Sequence, residues 1–140
     1  MNFGDKVIVI TGASQGFGKA LAKAFKQENA QVVIVSKTKE TLEQTARDID
    51  VISFVADARK EEQLQKVRDF VIKKFGRLDI WINSAGVFKV FPANENIDME
   101  KAREMFDINF FWKCFWFSHC VVCYEKKRRS NNKYSFKCGT

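Results

Sequence analysis

The sequence predicts an α/β fold, a doubly wound parallel sheet truncated after about four strands. Three observations carry this expectation: short β-branched runs without polar interruption, segments of helical period between them, and a glycine-rich turn directly after the first run. Residues 6 to 11, KVIVIT, form the first expected strand, buried on both faces. After the turn, Phe17, Leu21, Ala24 and Phe25 recur at helical spacing through residues 16 to 29, with Asn29 as the stop. QVVIVS (31 to 36) is a second buried strand, KETLEQTARDI (39 to 49) a second helix and VISFVA (51 to 56) a third strand. In KEEQLQKVRDFVIKKFG (60 to 76), Leu64, Val67, Val71 and Phe75 share one face and Gly76 closes the helix. LDIWIN (78 to 83) supplies a fourth strand and residues 84 to 98 a loop. From Met99 a further helix carries Ala102, Met105 and Phe106. Strands alternating with helices require parallel pairing through crossover connections.

A chain of 140 residues, 46% apolar and 29% charged, suits one globular domain with a moderate core. The formal charge of +7 suggests an anionic partner until it is located: residues 112 to 140 hold seven Lys or Arg against one Glu, a net of +6. The body, residues 1 to 111, carries only +1 and gives no ground for a nucleic-acid surface. All four cysteines (Cys114, Cys120, Cys123, Cys138) lie in the basic tail, so they cannot staple the body. A reduced, cytoplasmic chain is expected. The N-terminus reaches Asp5 and Lys6 at once, and its apolar run is too short for a secretory signal.

The chemistry lies in TGASQGFG. Gly12, Gly16 and Gly18 stand between the first strand and the first helix, where backbone N–H groups converge and a pyrophosphate could approach without meeting a Cβ. The spacing Gly-x-x-x-Gly-x-Gly departs from the commoner Gly-x-Gly-x-x-Gly, and any tight strand-to-helix turn can use glycine. A second feature joins it. A strand that binds an adenosine ribose usually ends in an acidic residue about 20 positions beyond the glycines, accepting hydrogen bonds from ribose hydroxyls. Here it ends Ser36, Lys37, Thr38, a cation and two hydroxyls that suit a 2′-phosphate and favour NADP, with NAD also possible. A lone lysine at a strand end is equally a solvated surface residue. Asp57 and Ala58, and then Asn83, Ala85 and Gly86 of NSAG, follow the third and fourth strands, which would place them on the rim of the same crevice.

These residues together resemble the N-terminal part of the short-chain dehydrogenase/reductase family, NAD(P)-dependent oxidoreductases built on one Rossmann domain. The resemblance covers residues 4 to about 111 and rests on TGASQGFG, on Asp57, on NSAG and on FDIN ending at Asn109. It implies that Gly12, Ser14, Gln15, Gly16, Phe17 and Gly18 line the pyrophosphate, Ser36 and Lys37 the 2′-phosphate, Asp57 and Ala58 the adenine, and Asn83 to Gly86 the ribose side. Asn109 corresponds to the family's helix asparagine, which shapes the active site and positions a water of the proton relay. Ser84 stands where the family commonly has Asn. The parent would interconvert an alcohol and a carbonyl and form a homo-oligomer.

The family's catalysis also needs a Ser and a Tyr-x-x-x-Lys, in which a nearby positive charge lowers a phenol that ordinarily ionises near pH 10. Tyr124 is followed at the fourth position by Arg128 and Tyr134 by Cys138, so neither fits. The chain as written is expected to be inactive. Alternatives are a non-catalytic dinucleotide-binding module or a protein that acts through its basic tail. His119, Cys120 and Cys123 make one Cys-x-x-Cys where structural zinc sites use two spaced pairs, so no metal is expected. FFWKCFWFSHCVVCY, broken by Lys113 and His119, falls short of the ~20 apolar residues a membrane span requires. A shifted reading frame accounts for the tail better. Reading one nucleotide later turns the single tryptophan codon at Trp112 and Trp116 into glycine, which the family favours here. The same shift permits Ile-Ile-Asn-Ile-Val from NNKYS and Ser-Ser-Ala from FKC, the family's next strand and serine.

Overall fold

The computed structural model describes residues 3–87 and 98–111. They run β1 (Val7–Thr11), α1 (Gly16–Gln27), β2 (Gln31–Ser36), α2 (Lys39–Ile49), β3 (Ile52–Val55), α3 (Glu61–Phe75), β4 (Ile80–Asn83) and α4 (Met99–Phe106), ending in a π-helical turn, Asp107–Phe111. The tail and most of the loop after β4 lie outside the described residues, and with them every cysteine, His119 and both tyrosines.

The four strands form one parallel sheet in the order β3-β2-β1-β4. Thr11 at the end of β1 stands level with Val35 of β2 and Asn83 of β4, while Ser36 pairs with Val55 of β3. The four carboxyl ends therefore share one rim. Alternation along the central strands fills both faces, since successive side chains point oppositely. Val7, Val9, Val33 and Val35 pack with Trp81 against Leu64, Val67 and Val71 of α3. Ile8, Ile10, Val32 and Ile34 pack against Ala22 of α1 and Leu42 and Ala46 of α2. Continuous apolar runs are the sequence signature of that arrangement.

One helix face differs from the sequence expectation. In α1 the buried residues are Gly18 and Ala22, with Leu21 and Phe25 partly buried, whereas Phe17 is 73% exposed and Ala24 is exposed. At 3.6 residues per turn, positions 18, 21, 22 and 25 form one stripe, and positions 17 and 24 fall about a quarter turn from its centre. The helix lies so close to the sheet that small residues sit at the contact and large ones flank it. Phe25 is met edge-on by Phe3 at 5.0 Å. The third strand is also shorter than its apolar run, because the N–H of Val51 donates to the Ala46 carbonyl in the turn that closes α2.

The two sheet edges are less protected than the centre. β3 is at most half-buried, and among the described residues no strand pairs with the outer edge of β4. No helix in the described residues is long and apolar enough to cross a membrane.

Candidate functional site

The carboxyl ends of the strands open into a crevice of about 390 Å³. Its floor is the turn between β1 and α1. Gly12 has φ +67°, and a Cβ there would lie 2.5 Å from the Ala85 Cα and 2.6 Å from the Ala85 nitrogen. Only glycine lets the two backbones touch. A Cβ on Gly18 would lie 2.5 Å from the Gly12 carbonyl oxygen, so the helix is seated directly on the turn. Gly16, with φ +56°, is different: a Cβ there would meet nothing within 4 Å, and its open side belongs to the crevice.

Polar contacts hold the turn from three sides. The Gly12 N–H donates to the Val35 carbonyl at 2.7 Å. The Thr45 hydroxyl, buried on α2, donates to the Ser14 carbonyl at 2.7 Å. Thr11, fully buried, accepts from the Ala85 N–H at 3.4 Å and reaches the Ile82 carbonyl at 3.5 Å. The first turn of α1 contains no acidic residue, and Gln15 at its N-cap makes no side-chain cap. Uncapped N–H groups and the positive end of the helix dipole thus stand where Gln15, Gly16, Phe17 and Gly18 line the crevice, a setting suited to an anion.

At the β2–β3 end, Ser36, Lys37 and Thr38 line the crevice with Ala56, Asp57, Ala58 and Arg59. Lys37 makes no hydrogen bond or ion pair among the described residues, although its charge acts on Asp57. Asp57 is gripped by Arg59: Nη2 donates to Oδ2 at 2.6 Å and Nε to Oδ1 at 3.0 Å, and the Arg59 backbone N–H adds a bond to Oδ1 at 3.0 Å. The side-chain hydrogen bonds from Arg59 hold the Asp57 carboxyl below the usual carboxylate range against the opposing effect of burial. The Asp57 N–H donates to Gln63 Oε1 at 2.7 Å, which ties the end of β3 to the first turn of α3.

At the other end Ser84, Ala85, Gly86 and Val87 line the crevice with Ile108. Asn83 reaches the rim, but its Oδ1 accepts from the Trp81 indole at 2.9 Å and its side chain does not line the crevice. Asn109 also stands behind the lining. Its Oδ1 accepts from the Val87 N–H at 2.9 Å and its Nδ2 donates to the Val87 carbonyl at 2.6 Å, a two-point clamp on the segment after β4. The π-helical turn carries Asn109 and Ile108, and wider turns of this kind are frequent at functional sites.

Comparison with known proteins shows the family and the fold. The family model described as short chain dehydrogenase matches residues 6–130. The chain belongs to the short-chain dehydrogenase family. That is an oxidoreductase family with a NAD(P)-binding Rossmann fold, and the match extends beyond residue 111 into the segment expected from sequence to be divergent. The chain is 36% identical over 130 residues to 11-beta-hydroxysteroid dehydrogenase A of Sesamum indicum, covering 89% of this chain and 37% of that protein. It is 31% identical over 131 residues to L-fucose dehydrogenase of Oryctolagus cuniculus, covering 91% of this chain and 44% of that one. Among solved structures, a short chain dehydrogenase from Bacillus anthracis superposes with TM-score 0.77 at 31% identity, over 85% of this chain and 50% of its own. The 3-ketoacyl-(acyl-carrier-protein) reductase of Brucella melitensis, complexed with NADH, gives 0.75 at 30% identity, over 84% and 49%. The chain therefore spans half or less of the length of these relatives.

Within this short-chain dehydrogenase chain, the crevice joins most of the residues singled out from sequence: the glycine turn, Ser36, Lys37, Asp57, Ala58, Ala85 and Gly86. It adds Arg59, Val87 and Ile108, and Thr45 supports it from behind. Arg59 is the addition with a sequence signal, since a cation two positions after an acidic residue at a strand end can fold back on it. Thr45 sits mid-helix with nothing local to mark it. Among the described residues no group of three or more His, Cys, Asp or Glu could hold a metal.

Proposed function

We propose that the chain forms the dinucleotide-holding part of an NADP-preferring short-chain dehydrogenase/reductase whose parent interconverts an alcohol and a carbonyl. The sequence as it stands, without Ser and Tyr-x-x-x-Lys, turns over no substrate. The observation that carries the reading is that β2 ends in Ser36, Lys37 and Thr38, with no acidic residue among them, and that Lys37 lines the same crevice as the uncapped start of α1. The residues fit such a cofactor. The open side of Gly16 leaves room for a pyrophosphate, to which the N–H groups of residues 16 to 18 would donate. Ser36 and Lys37 would hold the 2′-phosphate, Asp57 would stand on the adenine side, and Ala85 and Gly86 on the ribose side.

The nicotinamide ring, when bound, supplies or accepts the hydride. Asn109 acts as a positioning residue, keeping the segment after β4 in place through Val87. Fluorescence titration of the full chain with NADPH and NADH tests the reading. Saturable binding, tighter for NADPH and without turnover, is expected; no saturation with either would overturn it. Replacing Lys37 with Glu is expected to reverse the preference. We further propose that residues after about 111 are read out of frame. Sequencing DNA and transcript across codons 107 to 116 and past 140 tests this, and a frame that stands unaltered would leave a dinucleotide-binding module whose function is binding alone.

A further inference from the structure

The crevice holds one carboxylate at its β2–β3 end, and an arginine two residues away occupies it. Asp57 accepts through both oxygens from Arg59, in a forked pair with an added backbone bond, which takes up most of the roughly four lone-pair sites of a carboxylate. Both residues line the crevice, and the Arg59 side chain is 44% exposed where that of Asp57 is 16% exposed. Lys37 lines the same end, and its charge reaches Asp57. Glu104 of α4 acts on Arg59 from farther off. An unscreened Asp57 would repel a phosphate held by Lys37, because like charges a few ångströms apart in a partly enclosed site interact strongly.

We propose that Arg59 determines specificity by cancelling the charge of Asp57, so that this end of the crevice accepts a 2′-phosphorylated adenosine. This rests on the NADP-preferring reading above and adds a residue to it. The role is electrostatic: Arg59 keeps its grip on Asp57 while Lys37 meets the phosphate. Asp57 has two neighbouring cations, and removal of one leaves a carboxylate with the other, which then pairs with Lys37 and withdraws it from the ligand.

The test measures binding of adenosine 2′,5′-bisphosphate and of adenosine 5′-monophosphate to the full chain by calorimetry, and takes the ratio of the two affinities. In the unaltered chain the ratio is expected to favour the 2′-phosphorylated probe. Arg59→Gln is expected to lower that ratio about tenfold, as loss of one charge near a protein surface implies. Arg59→Lys should retain most of it. The double variant Arg59→Gln with Asp57→Asn should restore the ratio, because the charge to be cancelled has gone. A ratio that stays low in the double variant would overturn charge cancellation in favour of direct contact by Arg59. An unchanged ratio in Arg59→Gln would overturn any role for Arg59 while leaving the Lys37 reading intact. If the unaltered chain shows no preference for the 2′-phosphorylated probe, the NADP reading itself fails. Circular dichroism of each variant monitors folding, and the half-exposed position of Arg59 makes its two substitutions mild.

Discussion

β1 and β4 deliver the two walls of the crevice, and they are held in different ways. β1 is paired on both sides, all five of its residues are buried, and the turn that follows it is tied to β2, α2 and the segment after β4. β4 has four residues, one of them buried, is paired only with β1 among the described residues, and its following segment is held by two side chains, Thr11 at Ala85 and Asn109 at Val87. The wall made by the glycine turn is thus built into the core, whereas the wall made by the segment after β4 rests on a strand paired on one side among the described residues. A strand edge left open is also a template for pairing with another chain.

The largest expected effect contrasts the two strands directly. Ile8→Ala in β1, at a fully buried position, should lower unfolding free energy by about 2–5 kcal/mol. Ile80→Ala, at the half-buried start of β4, should cost clearly less in the same urea titration. Equal losses would show that β4 is as firmly integrated as β1. Next, Gly12→Ala forces a Cβ against Ala85 at a positive φ and should cost about 1–3 kcal/mol from backbone strain alone, with dinucleotide binding lost. Retained binding would mean that the two walls can separate without harm.

Asn109→Ala removes both bonds to Val87 and should lower the local opening free energy of the segment after β4 by about 1–3 kcal/mol. Hydrogen exchange should register it at the Val87 amide and leave the Val9 amide unchanged. Uniform acceleration across the sheet would argue against a wall-specific clamp. The smallest effect concerns the amino ends of the same two strands, which Asp79 joins by accepting from the Val7 N–H at 2.9 Å and from Arg77. Burial pushes the Asp79 carboxyl up, but the Arg77 and Val7 hydrogen bonds with the charges of Arg77 and Lys6 outweigh it and hold the group below its ordinary value. A carboxyl depressed on folding stabilises the protein above its unfolded value of about 4, and the contribution fades as pH falls through the folded value. Asp79→Asn should therefore be less stable at neutral pH, with the gap to the unaltered chain closing in acid. A gap independent of pH would assign the effect to packing.

Much of this was legible in the sequence because buried parallel strands and amphipathic helices leave local signals. The uninterrupted VIVIT and QVVIVS runs became the two central strands, and Leu64, Val67 and Val71 became the buried face of α3. In α1 the apolar spacing marks Leu21 and Phe25, which flank the core, but apolar size also points to Phe17 while closeness to the sheet selects Gly18 and Ala22. A residue's own neighbours cannot report how near another element will come.

By itself the sequence determined the fold class, the position of the glycine turn and the lack of a carboxylate at the end of β2, since each is written in contiguous residues with a short-range physical cause. The tertiary structure alone decided that Gly12 must yield to Ala85, that Thr45 holds Ser14, that Asn109 grips Val87 and that Arg59 and Lys37 share one crevice. All but the shared crevice are pairings separated by 22 to 73 positions, made only when the strands fall into register. Their energies come from desolvated contacts that do not exist until the sheet has formed.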